Sequence, residues 1–210
     1  MLRYLTHPYQ LLGIALAVFV GLIGQNLVQA WVANAWGDRE PRRQGFLRPD
    51  LSKHIDPLGA VACIVVYFGW GFAAPVPIET RFRRQRFRAT VALLSGPAFL
   101  LALLFAAAWI ATNTTNGRVY ETALYAAASL SGLTVLSLFP IPPLPGGRAY
   151  FLYAPVSPGW QRARYHLAEG HLGRLIALGF VLLPILFPLL PDPVRDLADS
   201  LRNWVFRTVS

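Results

Sequence analysis

The sequence predicts an all-α polytopic membrane protein with a re-entrant segment and an extended proline-rich loop. Of its 210 residues, 55% are hydrophobic and 14% are charged, whereas soluble domains carry about 25% charged residues. Several apolar runs approach the roughly 20 residues that a helix needs to cross a bilayer. One such run leads into Pro140, Pro142, Pro143 and Pro145, which must leave the helix because proline lacks an N–H and disfavours helix in the residue before it.

The net charge of +9 is interpreted as a signal of membrane orientation and of contact with anionic lipid headgroups. Nucleic-acid binding is excluded, because the arginines flank apolar segments and do not form a soluble basic domain. The single cysteine, Cys63, excludes an internal disulfide and is expected to be a small buried hydrophobe. The first apolar run is too long for a signal peptide and lacks a small-residue cleavage site, so it should remain as a membrane helix.

That first run, residues 11–35, carries a row of small and amide residues at four-residue spacing. Residues spaced in this way lie on one helical face, where small side chains let another helix approach and amides can hydrogen-bond across the contact. Two interpretations stay open: a packing seam, or a site at membrane depth whose chemistry has changed. The row is Gly13, Ala17, Gly21, Gln25, Gln29 and Ala33, with Asn26 beside it.

The next apolar run, residues 57–74, lies between two basic segments at 36–56 and 75–88. Lys and Arg near membrane ends mark the cytoplasmic side, so both ends of this run should lie on the same side. A re-entrant segment, with a turn at Gly69–Gly71, is favoured over a fifth span.

Three later runs are expected to span, and each is followed by a polar or irregular segment. The run 89–111 should kink at Ser95-Gly96-Pro97. A basic amphipathic segment at 148–171 precedes the last span, and the tail 191–210 should form an amphipathic helix on the membrane or on a partner. The spans are 89–111, 120–138 and 172–190.

The predicted topology has four spans and one re-entrant segment, with the N-terminus and the tail outside. About 14 of the 19 Lys and Arg residues then lie inside. This distribution satisfies the positive-inside rule, and the opposite orientation would violate it. The alternative is five spans with a different inside set. No internal repeat is visible, so one domain is predicted.

Several segments occur in an order that resembles the site-2 protease family of intramembrane zinc metalloproteases, particularly its short bacterial members. The resemblance covers residues 20–155, within a core of about 11–155. Residues 156–210 add the end of the basic segment, the last span and the tail. The segments are WGDREPRR, LSKHIDPLGA, GFAAPVPIETRFRR, ALLSGPAFLLALL and LFPIPPLPGGR.

The family's chemistry uses H-E-x-x-H, in which two His bind zinc and the Glu is the general base, completed by the Asp of a later L-D-G-G. The zinc-ligand positions match Gln25 and Gln29, the base position matches Asn26, and the Asp position matches Pro145. Two asparagines that the family places near its site are also replaced, by Leu100 and Ser137.

These replacements remove the chemistry that the resemblance implies. Glutamine amides are poor zinc ligands, asparagine cannot accept a proton near neutral pH, and proline offers no ligand. No catalytic residue, metal or cofactor is therefore expected.

The histidines offer no convincing replacement for the metal site. His54 and Asp56 are expected to cap or hydrogen-bond a loop. His166 and His171 are five residues apart and fall on different faces of a helix, and an interfacial basic helix is favoured there, although Glu169 could meet His166.

Polar groups at membrane depth should face the protein interior and find partners. In the family, the proline stretch lies beside the helix that carries H-E-x-x-H. The hypothesis is therefore that Gln25 and Gln29 hydrogen-bond the carbonyls of residues 140–145, with a sharp turn at Gly146 and Gly147. The candidate partner cleft comprises Gln25, Asn26, Gln29, Ser137, Pro140, Pro142 and Pro143.

The expected function is that of a pseudoprotease in the bacterial inner membrane, with the basic loops in the cytoplasm. It would serve as a binding, scaffold or accessory subunit for other integral membrane proteins. The alternatives are an intramembrane metalloendopeptidase with an unconventional centre, and a carrier, against which the spans at 11–35, 89–111 and 172–190 hold no carboxylate.

Overall fold

Three long helices form the centre of the computed structural model: α1 (Pro8–Ala35), α5 (Arg86–Asn113) and α6 (Gly117–Leu138). The structure describes residues 7–65, 71–78, 86–155, 157–169, 172–187, 189 and 191–209. Most of the predicted Gly69–Gly71 turn and the arginines at 81, 83 and 84 lie outside the described residues. The shorter helices are α2 (Glu40–Arg43), α3 (Leu51–His54), α4 (Pro57–Val65), α7 (Pro145–Leu152), α8 (Pro158–Arg164), α9 (Leu172–Leu186) and α10 (Pro193–Val209).

Helix α1 packs in the centre through the row of small and amide residues. All six members of the row are buried, so the predicted packing face is confirmed. A methyl group on Gly13 would collide with the backbone of Thr122 in α6, and one on Gly96 of α5 would collide with Gln29. Further along α1, Gly21 lies against Leu130 of α6 and Leu100 of α5. Later positions in α1 thus meet later positions in α6 but earlier positions in α5, so α1 and α6 run parallel and α5 runs antiparallel to both.

Within the described part of the chain, length and mean hydropathy qualify two helices as membrane-spanning, namely α1 and α5. A third span exists only if residues 158–167 and α9, bent by 67° against each other, are counted together. Helix α9 alone has 15 residues, or about 22 Å at 1.5 Å per residue, which is shorter than a hydrocarbon core of about 30 Å. The expectation that residues 172–190 cross as a single helix is therefore wrong.

The run 57–74 returns to the place where it began. The Ala74 N–H donates to the His54 carbonyl at 2.9 Å, and Ile55 and Ala73 form an isolated antiparallel bridge. Gly59 of α4 lies directly on the Phe72 backbone, so the two limbs of the segment pack against each other. This is the geometry of a re-entrant segment, and the alternative of a fifth span does not fit it.

The proline stretch ends one residue earlier than predicted. Pro145 occupies the first turn of α7, where its fixed φ and missing N–H are favourable. Gly146 and Gly147 are therefore helical, and the predicted turn at these glycines is wrong. A methyl group on Gly146 would collide with the Leu138 carbonyl, and one on Gly147 with the backbone of Ile141, so both glycines serve close packing.

The C-terminal helix α10 packs lengthwise on the protein itself. Val194 and Ala198 share a buried cluster with Leu136 at the end of α6, and Val205 joins the cluster that contains Ala127. Helix α10 thus runs antiparallel to α6, starting beside the end of α6 that was predicted to be cytoplasmic. The expectation that the tail lies on the membrane or on a partner is wrong for the apolar face of α10, which packs in the protein core.

Candidate functional site

The three residues that match the family's catalytic motif lie in the interior between α1, α5 and the re-entrant segment. Gln25, Asn26 and Gln29 are 3%, 2% and 1% exposed. Their burial follows from the four-residue spacing, which places Gln25 and Gln29 on the same face as the small residues of α1. The expectation that these polar groups face the interior is confirmed.

Asn26, at the position of the general base, holds the two ends of the re-entrant segment together. Its Nδ2 donates to the carbonyl of Ala74 at 2.8 Å and to that of His54 at 3.3 Å. An asparagine amide nitrogen has two protons to donate, and both are used in this way. The side chain that matches the catalytic base therefore forms a structural cross-link.

His54 is fully buried and anchors the first of these ends. Its Nε2 lies 2.7 Å from the Arg48 carbonyl, which can only accept, so Nε2 carries the proton. The ring packs edge-on against Phe46 with 5.5 Å between centroids. The helix that ends at His54 is capped by Asp50, whose carboxylate accepts from the side chain and backbone of Ser52. These hydrogen bonds hold the pKa of the Asp50 carboxyl below its ordinary value.

Asp56 caps the start of α4 and also pairs with α9. Its Oδ1 accepts from the N–H groups of Leu58 at 2.9 Å and Gly59 at 3.3 Å. Its Oδ2 lies 3.4 Å from Nε of Arg174. The expectation that His54 and Asp56 serve in hydrogen bonding and capping is confirmed.

The two glutamines are less well satisfied than Asn26. Among the described residues, Oε1 of Gln25 and Nε2 of Gln29 are buried without a hydrogen-bond partner. The Gln29 amide lies on Gly96 of α5, where a methyl group would collide with it. A hydrogen bond from the Gln29 amide to the carbonyls of residues 140–145 is therefore absent, and the hypothesis of such a cross-link is wrong there.

The rest of the candidate partner cleft is mostly closed in this structure. Ser137 is buried and its hydroxyl donates to the Thr134 carbonyl at 2.7 Å. Pro142 and Pro143 are buried, whereas Pro140 is exposed. Leu100, at one of the replaced asparagine positions, is fully buried. A partner could reach the buried members of this cleft only if the surrounding helices moved.

Arg148, which follows the Gly-Gly pair, has a role that the sequence did not reveal. Its guanidinium donates to the Val76 carbonyl at 2.6 Å and so ties α7 to the chain that returns from the re-entrant segment. The sequence signal that could have identified this role is a single arginine immediately after the Gly146-Gly147 pair.

The donor set around Asn26 does not fit zinc. Zinc sites in proteins use thiolate, imidazole or carboxylate ligands, and here the ligand positions offer two amides and a proline. Within the described part of the chain, no group of three His, Cys, Asp or Glu side chains is close enough to hold a metal ion. His166 lies in a π-helical turn, Tyr165–Glu169, while His171 and the Glu169 side chain lie outside what the structure describes.

Comparison with known proteins reveals one informative similarity. The chain is 29% identical over 198 residues to the "Putative zinc metalloprotease YwhC" of Bacillus subtilis (strain 168), covering 88% of this chain and 84% of that protein. No family model matches, and no solved structure matches. The similarity runs along nearly the whole chain and is consistent with a site-2-protease-like family.

Proposed function

We propose that this protein is a non-catalytic, site-2-protease-like membrane protein that binds other integral membrane proteins as a scaffold or accessory subunit. The observation that carries the proposal is the burial and hydrogen bonding of the Asn26 side chain. The side chain at the general-base position is 2% exposed, and both of its amide protons are donated to backbone carbonyls. It can neither accept a proton nor reach an incoming peptide bond, so this region supports structure and not hydrolysis.

Metal content and partner capture test this proposal directly. The protein is purified from native membrane in mild detergent, its zinc is measured by mass spectrometry, and co-purifying proteins are identified. We expect far less than one zinc per chain, and a stoichiometric membrane partner. The Bacillus subtilis relative, prepared in parallel, shows whether the procedure retains metal.

The alternative is an intramembrane metalloendopeptidase with an unconventional centre, and the name of the relative is the observation that favours it. One zinc per chain, removed by chelator together with cleavage of a transmembrane substrate, would establish the alternative and overturn the first proposal. A protein that holds zinc without cleaving would also contradict the proposal, because a metal site would then exist.

We also propose that the basic segments lie in the cytoplasm of a bacterium, at the inner membrane, where they contact anionic lipid headgroups. Trp36 and Phe87 stack at 6.2 Å at adjoining ends of α1 and α5, next to Arg88. Aromatic rings beside arginine are typical of a membrane interface. Labelling of Arg39→Cys from the cytoplasmic side, but not of Arg118→Cys, would support this orientation, and the reverse pattern would contradict it.

A further inference from the structure

Helix α10 carries a polar face alongside helices long enough to span a membrane. Its apolar side is buried through Val194, Ala198 and Val205, and it follows α6 for most of its length. The charged residues of its outer side therefore lie at the depth of the apolar bundle. These residues are Arg195, Asp196, Asp199, Arg202 and Arg207.

Lipid is a poor neighbour for this face. Ionised side chains within the hydrocarbon layer are costly and are normally paired or turned towards protein or water. Asp199 and Arg202 are paired at 2.9 Å, but their side chains remain 42% and 25% exposed. Arg195, Asp196 and Arg207 are exposed as well. A monomer in a bilayer would leave this surface uncovered.

The shape and charge of the face identify what covers it. The face carries three arginines and two aspartates, a net charge of +1 per copy, so each copy offers both signs of charge to an identical surface. Trp204, 55% exposed, stands on the flank next to α5, where it contacts Phe105 at 5.7 Å. On the opposite flank, α6 and α10 border an open groove of about 450 Å³ lined by residues that include Tyr120, Leu124 and Phe206.

These features are complementary under two-fold symmetry. If two copies are inserted in the membrane in the same direction, the two-fold axis that relates them runs parallel to the helices. Rotation about this axis leaves each residue at the same height along the bundle. Such an axis places the α5 flank of one copy opposite the α6 flank of the other. Trp204 and the groove residue Phe206 lie within one turn of α10, so the indole of each copy meets the groove of the other.

We propose that α10 forms the interface of a symmetric homodimer, in which Trp204 of each copy fills the groove between α6 and α10 of its partner. The interface is isologous, since the same surface is used by both copies. Tryptophan and arginine are the residues that most often dominate interface affinity. The charged residues of both copies are then enclosed by protein and shielded from lipid.

Crosslinking in native membranes tests the interface with the full chain. Asn203→Cys, exposed on α10, should form a disulfide-linked dimer with a mild oxidant. Leu16→Cys, 48% exposed at a similar height on α1, should not. The native Cys63 is 5% exposed and gives little background. Monomer only for Asn203→Cys, or capture of a different protein at that position, would overturn the proposal.

The dimer dissociation constant in detergent provides a second readout. Trp204→Ala should weaken the dimer by about tenfold or more, whereas Trp31→Ala, 65% exposed on α1, should leave it unchanged. Equal dissociation constants for both variants would contradict the proposal, and if Trp204→Ala fails to fold, the crosslinking result decides. Neither experiment depends on zinc or on cleavage, so failure here leaves the proposed non-catalytic function unaffected.

Discussion

Asn26 and Gln29 lie one turn apart on α1 and show how similar amide side chains can have opposite energetic effects. Asn26 donates two hydrogen bonds to backbone carbonyls, whereas Nε2 of Gln29 has no partner among the described residues. A buried donor without a partner costs the free energy of removing it from water. A satisfied donor stabilises the segment that it holds.

This contrast gives a paired prediction for folding stability. Asn26→Ala should lower the free energy of unfolding by about 1–3 kcal/mol, because two buried carbonyls lose a donor. Gln29→Met, which keeps the length of the side chain and removes the amide nitrogen that lacks a partner, should be neutral or stabilising. Thermal unfolding in detergent measures both. A Gln29→Met variant that loses as much as Asn26→Ala would show that Gln29 has a partner of its own.

The burial of these residues could be predicted from the sequence, but their partners could not. Four-residue spacing places side chains on one helical face whatever surrounds the helix, so the buried face of α1 was correctly identified. The acceptors of Asn26 lie 28 and 48 residues away in the chain, and no local pattern encodes such a pairing. The prediction of hydrogen bonds from Gln29 to the proline stretch was wrong for the same reason.

At the scale of single elements, the re-entrant segment depends on close contact between its two limbs. Gly59 sits in the first turn of α4, and any Cβ there would collide with the Phe72 carbonyl. Gly159 sits in the first turn of α8, with nothing within 4 Å of its would-be Cβ. Two glycines in similar helical positions therefore face different surroundings.

Alanine at these two positions should separate packing from helix propensity. Gly59→Ala should destabilise the fold by about 1–3 kcal/mol, as overpacking does, and should increase protease cleavage near the basic segments. Gly159→Ala should be neutral or stabilising by up to about 1 kcal/mol, since alanine favours helix. Unfolding and limited proteolysis report both effects, and equal behaviour of the two variants would show that the limbs are not in contact.

Helix boundaries were predicted well where prolines end a helix and poorly where packing decides them. Helix α6 ends at Leu138 as predicted, because the prolines stop it. The start of α7 at Pro145 was missed, since Gly-Gly suggests a turn unless the nearby backbone of Leu138 and Ile141 is known. The sequence also showed that α10 is amphipathic, but not that its apolar side packs against α5 and α6.

At the scale of the whole molecule, Asp56 and Arg174 connect the re-entrant segment to the C-terminal half. Asp56 is 2% exposed in its side chain and Arg174 is 35% exposed. Helix α9 also packs against α4 through the cluster that contains Ala62 and Ala177. The ion pair thus adds a polar link to an apolar contact between parts of the chain more than a hundred residues apart.

Breaking this pair should destabilise the fold, because it leaves a buried carboxylate without its counter-charge. Arg174→Gln is expected to lower the free energy of unfolding by about 2 kcal/mol, less than for a fully buried pair, since water reaches the arginine and Asp56 keeps its two backbone donors. Arg43→Gln is the matched control, because the pair of Arg43 with Glu40 is exposed and spans 3.8 Å. That variant should change stability by less than about 0.5 kcal/mol. Thermal unfolding in detergent measures both variants, and equal losses would show that the link between Asp56 and Arg174 does not hold the two halves together.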